Sequence, residues 1–226
     1  MPASHASNFD RIARPYRWLE YFSFGPMLER VRFYRIPQLA AARRALVLGD
    51  GDGRFLARLL AANPALHADV IDQSPAMLRL LQSRAAAIGA ANRIRIHHTD
   101  AQSFQPPGPP YNAYDLVITH FFLDCLTTEQ IQTLAKKIRP YLTQNALWLI
   151  SEFAIPSGGV ALPARSIVAV LYTAFRIITG LRVRNLPDHA TALTASGFIL
   201  EGRRHFLAGL LISDFWRLEK PISEGG

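Results

Sequence analysis

The sequence predicts an α/β protein built on a doubly wound, mostly parallel sheet that an antiparallel hairpin closes. Through residues 45–153, short apolar runs alternate with amphipathic stretches. Such alternation is typical of parallel strands joined by right-handed helical crossovers. Two more strand-like runs, 197–203 and 209–218, follow each other closely near the C-terminus. Their short connection favours an antiparallel pair at one edge of the sheet.

Composition supports one large domain of this class. The chain has 226 residues, 50% of them hydrophobic, which is enough for one α/β core with an insertion. A single cysteine, Cys125, excludes a disulfide framework and a cysteine-rich zinc site and fits a reducing cytosol. The first residues contain no apolar signal core, and no apolar run approaches the roughly twenty residues of a membrane span. We therefore expect a cytoplasmic protein.

The most informative stretch is residues 49–53, with the sequence GDGDG. It follows the apolar run that ends at Leu48 and precedes an amphipathic helix that begins near Phe55. Glycines are needed where the backbone turns sharply or approaches a ligand closely. The free N–H groups and positive dipole end of the following helix suit an anionic group. The pattern predicts a strand, a tight turn and a helix that bind a nucleotide-like or carboxylate-bearing cofactor, although a purely structural turn is an alternative.

An acidic residue stands at the end of the next predicted strand. Asp72 closes the apolar run 68–71, about twenty residues after the glycines. At that position it lies beside the glycine loop and can accept hydrogen bonds from both hydroxyls of a ribose. Asp72 could instead cap the helix that begins near Pro75, but Ser74 fits the capping position better.

The spacing of the glycines separates two cofactor classes. A dinucleotide fingerprint requires Gly-x-Gly-x-x-Gly. Here Arg54 stands at the last position, and the third glycine comes one residue early, as Gly53. This argues against a nicotinamide-dependent oxidoreductase. The Gly-x-Gly-x-Gly form resembles the first motif of the class I S-adenosylmethionine-dependent methyltransferases.

The resemblance extends along most of the chain. Four later segments resemble the second to fourth motifs and the fifth strand with its preceding helix end: 70–78, 98–101, 114–120 and 139–150. Residues 9–13 and 23–25 resemble the start of the ubiquinone- and menaquinone-biosynthesis C-methyltransferases. Each motif is loose, so the order and spacing of the set carry the resemblance.

The resemblance implies a seven-stranded sheet with N-terminal helices and a helical lid. It divides one methyltransferase domain, 1–226, into a helical cap (1–42), a cofactor-binding core (43–155), a lid insertion (156–186) and a C-terminal helix with a strand hairpin (187–226). From sequence alone, the insertion could equally be an extra core helix. The implied cofactor is S-adenosyl-L-methionine. Its expected contacts are Gly49, Asp50, Gly51, Asp52, Gly53, Asp72, Gln73, Met77, Asp100, Ala101 and His120.

One position departs from the family pattern. The family usually has Asp or Glu two residues before the first glycine, where it helps to hold the ammonium group of the cofactor. This chain has Val47 there. Asp50 and Asp52 lie inside the loop and could supply the missing negative charge, or they could be solvated turn residues.

Three residues are candidates for catalysis: His120, Asp124 and His189. His120 follows the predicted fourth strand, and an imidazole there could act as a general base or only pack against the cofactor. Asp124 could orient His120 or cap the next helix, for which Thr127 or Thr128 is the stronger candidate. His189 could reach the substrate or be a surface residue. No metal site is expected, since His97 and His98 lack a convincing third ligand.

The acceptor class follows from what the chain contains and lacks. The pair Phe121-Phe122 and the apolar insertion favour a small hydrophobic acceptor, aromatic or quinone-like, methylated on carbon or oxygen. The net charge of +8 fits a solvated basic surface or peripheral contact with an anionic membrane. Nucleic acid is disfavoured, because residues 119–122 lack the motif of the amino-methylating DNA enzymes. A catalytically silent cofactor-binding protein is the alternative that Val47 supports.

Overall fold

The computed structural model describes residues 25–107, 114–154 and 186–219. Their helices are α1 (Gly25–Phe33), α2 (Arg54–Ala62), α3 (Pro75–Ala87), α4 (Thr128–Ile138) and α5 (His189–Thr194). Their strands are β1 (Arg44–Leu48), β2 (His67–Asp72), β3 (Ile94–His98), β4 (Tyr114–His120), β5 (Leu142–Phe153), β6 (Phe198–Phe206) and β7 (Leu211–Leu218). The predicted helical segments before residue 25 lie outside the described residues, as does the predicted insertion 156–186 apart from its last residue.

The described strands form one seven-stranded sheet in the order β3-β2-β1-β4-β5-β7-β6. The pairs among the first five strands are parallel. β7 pairs antiparallel with both β5 and β6. The predicted doubly wound, mostly parallel sheet with a C-terminal hairpin is therefore confirmed.

Helices cover both faces of the sheet. α2 and α3 pack on one face and meet Val47 and Leu116, while α4 and α5 pack on the other and meet Trp148. β1 lies in the middle, and residues 45–48 are buried. Burial on both faces explains why this strand is a continuous apolar run without alternation.

Two helix starts follow the local sequence signals. The Ser74 side chain accepts a hydrogen bond from the N–H of Met77 and caps α3, with Pro75 in the first turn. Thr127 and Gln130 form a capping box at the start of α4. These caps leave Asp72 and Asp124 free of the capping role considered for them.

The fold brings the ends of four parallel strands to one edge of the sheet. The first residue after β1, the last residues of β2 and β4, and a residue near the end of β5 stand there: Gly49, Asp72, His120 and Glu152. In open α/β sheets, ligands bind outside this edge. α1 lies beside it, where Leu28 and Val31 pack against Leu211 of β7. Among the described residues, no helix has the length and apolarity to cross a membrane.

Candidate functional site

The glycine loop is a tight turn pressed between two neighbours. Its three glycines, at positions 49, 51 and 53, have φ values of 68°, 62° and 78°. At two of them the space for a side chain is also filled. A methyl group on Gly49 would overlap the ring of Phe122, and one on Gly53 would lie 2.6 Å from Cγ of Leu81. The loop therefore needs glycine both for its conformation and for its close approach to α3 and to the segment after β4.

Asp50 turns its carboxylate back onto the start of α2. Its Oδ2 accepts the N–H of Leu56, the third residue of the helix, at 3.2 Å. One of the free amide donors of the helix N-terminus is therefore already used. Removal of the carboxyl from water raises the pKa of Asp50 to about 7, although the nearby guanidinium of Arg32 lowers it. Asp50 is thus a carboxyl that would gain from a bound cation.

Asp52 is engaged by arginines on two helices. Nε of Arg54 donates to its Oδ1 at 3.1 Å, and Nη2 of Arg84 donates to its Oδ2 at 2.9 Å. Arg54 also donates to Glu29 of α1 at 2.8 Å. This ion-pair chain, Glu29–Arg54–Asp52–Arg84, ties α1, α2 and α3 to the loop. Because Asp52 already faces two guanidinium groups, Asp50 is the better placed of the two loop acids to balance a bound cation.

Asp72 lies beside the loop, as its spacing predicts. Its Oδ1 accepts the N–H of Ser74 at 2.8 Å. Burial raises the pKa of Asp72 to about 6, while the backbone N–H groups of Ser74, Gly51 and Gln73 lower it. Gln73 is exposed next to this carboxyl, and Met77 is buried in the first turn of α3. The carboxylate therefore stands at the rim of the loop with a fixed orientation.

The residues after β3 stand further along the same edge. Asp100 is partly exposed, and its Oδ1 accepts the N–H of Gln102 at 2.8 Å, which closes the turn behind it. Ala101 is buried. The structure thus places both predicted positions after β3, on the side of β2 away from β1.

His120 ends β4 and is buried against α2. Its ring lies 4.2 Å from the ring of Phe55, centroid to centroid, at an interplanar angle of 69°. Neither ring nitrogen has a hydrogen-bond partner among the described residues. Burial holds the pKa of His120 well below its ordinary value, and the charge of Arg32 lowers it further. The imidazole is therefore neutral at neutral pH and has no group beside it to orient it as a base.

Asp124 does not orient His120, because neither nitrogen of that ring meets it. It is 4% exposed in the short turn after β4. Its carboxyl interacts instead with that of Glu152, near the end of β5. Burial raises the pKa of Asp124 to about 6. Burial also raises the pKa of Glu152 well above its ordinary value, and the charge of Asp124 adds to this.

His189 lies on the opposite face of the sheet from His120. Its Nε2 is 3.2 Å from Oδ2 of the buried Asp214. Arg203 donates to both oxygens of the same carboxylate, at 2.8 and 2.7 Å. Burial alone would raise the pKa of Asp214, but the hydrogen bonds from Arg203 and His189 hold it below its ordinary value. The preceding residue, Asp188, caps α5 by accepting the N–H of Thr191 at 2.9 Å. His189 is thus held in an ion-pair cluster under α5.

Two residues of this region were not predicted from the sequence. Arg32 of α1 lies over the ring of Phe121, 5.1 Å from its centroid, and acts on both Asp50 and His120. Glu152 binds the segment after β4. Its only sequence signal is an acid at the end of an apolar run, the same signal that identified Asp72. Nothing in the sequence near Arg32 indicates its position.

Similarity to known proteins agrees with this geometry. Residues 46–148 match a protein-family model described as a methyltransferase domain. The chain is 38% identical over 77 residues to a release factor glutamine methyltransferase of Cereibacter sphaeroides, covering 31% of this chain and 28% of that protein. It is 28% identical over 116 residues to polyamine aminopropyltransferase 2 of Bacillus cereus, covering 47% of this chain and 31% of that protein. The chain thus spans less than a third of these curated relatives.

Solved structures share the fold over nearly the whole chain. An O-methyltransferase family protein from Burkholderia thailandensis superposes with a TM-score of 0.70 at 16% identity, covering 96% of this chain and 62% of that one. The S-adenosylmethionine-dependent methyltransferase SibL has a TM-score of 0.67 at 20% identity, covering 97% of this chain and 64% of that one.

The sheet order and the glycine loop give the chain a Rossmann-like methyltransferase fold, and residues 46–148 match the methyltransferase-domain family.

Proposed function

We propose that this protein transfers the methyl group of S-adenosyl-L-methionine to a small hydrophobic, aromatic or quinone-like acceptor. The observation that carries the proposal is the pairing of the glycine loop with Asp72. Two of the loop glycines lie so close to their neighbours that a side chain would not fit, and Asp72 stands at the rim with a fixed carboxylate. A ribose beyond the loop would place its hydroxyls within reach of that carboxylate.

The charge around the loop supports a cofactor that carries positive groups. The pKa values of Asp50 and Asp72 are raised to about 7 and about 6, mainly because their carboxyls are withdrawn from water. Ionised carboxylates in such surroundings are stabilised by a nearby cation. The ammonium group of the cofactor would supply one. Asp50 would then take the part played in the family by the acid at the position of Val47, which is buried against α2 here.

Methyl transfer from a sulfonium requires little of the protein beyond alignment of the two reactants. S-adenosylmethionine supplies an activated methyl group on a sulfonium, which a nucleophile displaces directly. The protein holds the two reactants in line and excludes water. A tight loop fixed by the ion-pair chain from Glu29 to Arg84 is suited to the first task.

An apolar acceptor fits the aromatic side chains beyond β4 and β5. The ring of Phe121 lies 5.2 Å from that of Phe153, centroid to centroid. Phe121 and Phe122 are both partly exposed at this edge of the sheet. Aromatic walls with a few polar groups are typical of sites for small hydrophobic ligands.

The acceptor class is tested by a transfer assay with labelled S-adenosylmethionine. The acceptors are catechol, hydroquinone and 1-naphthol, their fully methylated ethers, which have no free hydroxyl group, and aliphatic alcohols of similar size. The proposal predicts transfer to the aromatic set and little to the aliphatic alcohols. Transfer to the methyl ethers would indicate methylation on carbon. Cofactor binding without transfer to any acceptor would favour the silent binding protein that Val47 suggested.

A further inference from the structure

Glu152 is fixed by the backbone of the segment that it faces. Its Oε1 accepts the N–H of Phe122 at 3.1 Å and the N–H of Leu123 at 2.8 Å. The residue is 2% exposed. Two amide donors on one oxygen set the rotation of the carboxyl group, so the direction of its second oxygen is set as well.

The second oxygen of Glu152 is buried without a hydrogen-bond partner among the described residues. Buried polar atoms are nearly always paired, because leaving one unpaired in a dry site is unfavourable. Because its Oε1 accepts the N–H of Leu123, Glu152 lies beside the next residue, Asp124, whose buried carboxyl acts on it. Oε2 of Glu152 is therefore available for a hydrogen bond with a ligand at this edge of the sheet.

From this geometry we propose that Asp124 and Glu152 form a carboxyl pair that binds the hydroxyl group of the acceptor and takes up its proton during O-methylation. The inference rests on the proposed methyltransferase function and narrows it to acceptors with a hydroxyl group. The acceptor O–H donates to the ionised carboxylate of the pair, and the acceptor oxygen gives Oε2 of Glu152 a hydrogen-bond partner.

The step is balanced in atoms and electrons. The O–H bond of the acceptor breaks, and its proton passes to a carboxylate of the pair. The electron pair of the acceptor oxygen forms the new C–O bond to the methyl carbon. The C–S bond breaks, its electron pair stays on sulfur, and the sulfonium becomes a neutral thioether.

The carboxyl pair is placed to take up the acceptor proton, whereas His120 lies on the other face of the sheet. His120 is in register with Ser151 of β5, so both side chains face α2. Glu152, the next residue, faces the opposite side, towards the turn that holds Asp124. The acceptor proton and the imidazole would therefore be separated by the sheet.

Several titratable groups lie around the pair. Cys125 adjoins Asp124, with its Sγ 3.5 Å from Oδ1, and Asp72 acts on the same thiol. On the same face of the sheet, the carboxylate of Asp214 is hydrogen-bonded to Arg203 and His189. Burial and the like charge of Asp124 together make loss of both protons unfavourable, so the pair keeps one proton over a wide pH range.

Two isosteric variants separate proton transfer from structure. Glu152→Gln keeps an oxygen that can accept the N–H groups of Phe122 and Leu123, and Asp124→Asn keeps the shape of its side chain. We expect kcat for catechol to fall about 10²- to 10⁴-fold in each. In Asp124→Asn, the fall of kcat on the acid side of the pH profile, near pH 6, should disappear. The affinity of each variant for S-adenosylhomocysteine should stay within about threefold of the wild-type value, since the reacting proton is remote from the cofactor. Glu201→Gln, on the edge strand β6, is the matched control.

A second measurement is independent of activity. Side-chain ¹³C NMR of the protein without cofactor should show two carboxyls that titrate in widely separated steps. Asp124→Asn should lower the pKa of Glu152. Two carboxyls that titrate independently near pH 4 would overturn the pair, as would variants with wild-type kcat and pH profile, or transfer to carbon. Failure of the wild type to bind S-adenosylhomocysteine would instead overturn the proposed function, and the titration would still decide the pairing.

Discussion

The ring of Phe122 occupies the space into which any side chain on Gly49 would project. The first glycine of the loop and the segment after β4 are therefore in contact. Glu152 holds that segment from the other side by its two backbone hydrogen bonds. The loop that is expected to hold the cofactor and the residues that are expected to meet the acceptor thus form one packed unit.

Gly49→Ala should impair both folding and cofactor binding. Gly49 and Gly51 both have positive φ, which costs an alanine about 1–2 kcal/mol. Of these two, only the methyl group on Gly49 meets a neighbour, since no atom of the described residues lies within 4 Å of the corresponding position on Gly51. Urea unfolding should therefore show a larger loss for Gly49→Ala than for Gly51→Ala. Equal losses would mean that the Phe122 ring moves aside freely.

Asp50 should make cofactor binding depend on pH. Its pKa is raised to about 7 in the folded chain. A folded-state pKa above the ordinary value means that Asp50 adds stability below about pH 4, and that this is lost as the pH rises through 7. A bound ammonium group reverses the preference and favours the ionised form. Affinity for S-adenosylhomocysteine should therefore rise from pH 6 to pH 8, with release of a proton.

Asp50→Asn should remove most of this dependence. The smaller part that remains would come from Asp72, whose pKa is raised to about 6. Calorimetry in two buffers with different ionisation enthalpies measures the released proton. A wild-type affinity that is the same at pH 6 and pH 8 would rule out a cation beside Asp50.

Asp52→Asn should lower the stability of the fold. It weakens the bonds of Arg54 and Arg84 that tie three helices to the loop. We expect a loss of about 1–2 kcal/mol in the free energy of unfolding, since hydrogen bonds to charged groups are among the stronger ones. Glu201→Gln, which breaks the exposed pair with Arg217, is the control and should cost about 0–1 kcal/mol. An Asp52→Asn variant of unchanged stability would show that the ion-pair chain contributes nothing.

The local parts of this fold could be predicted from sequence. The glycine turn, the cap at Ser74 and the capping box at Thr127 depend on residues within a few positions of one another. The doubly wound sheet followed from the alternation of apolar runs and amphipathic stretches. Asp72 could be placed beside the loop because the ends of adjacent parallel strands meet at one edge.

The remaining site contacts join residues that are distant in sequence. Asp52 meets Arg84, His189 meets Asp214, and Glu152 meets the backbone of Phe122, each across at least 25 residues. No local pattern encodes these contacts, because they depend on how the helices and strands pack. For that reason, the sequence left open whether Asp124 orients His120 or caps the next helix, whereas in the fold its carboxyl interacts with that of Glu152.

His120→Leu should leave catalysis largely intact. Its imidazole is buried and its pKa lies well below the ordinary value, so it is a weak base that takes up an acceptor proton poorly. We expect kcat to fall less than about tenfold, against the roughly 10²- to 10⁴-fold loss expected on removal of a general base. Stability should not decrease, because two buried nitrogens without partners are removed. A large loss of kcat with unchanged cofactor affinity would restore His120 as the base.

Calorimetry tests whether the loop from Gly49 to Gly53 and Asp72 together bind S-adenosylmethionine. The wild type and Asp72→Asn are titrated with S-adenosylhomocysteine and with NAD at pH 8. We expect S-adenosylhomocysteine to bind the wild type and to bind Asp72→Asn about tenfold or more weakly, because hydrogen bonds to a charged acceptor are weakened. We expect no binding of NAD. A wild type that binds NAD, or that fails to bind S-adenosylhomocysteine, would show that the loop and Asp72 do not form this site.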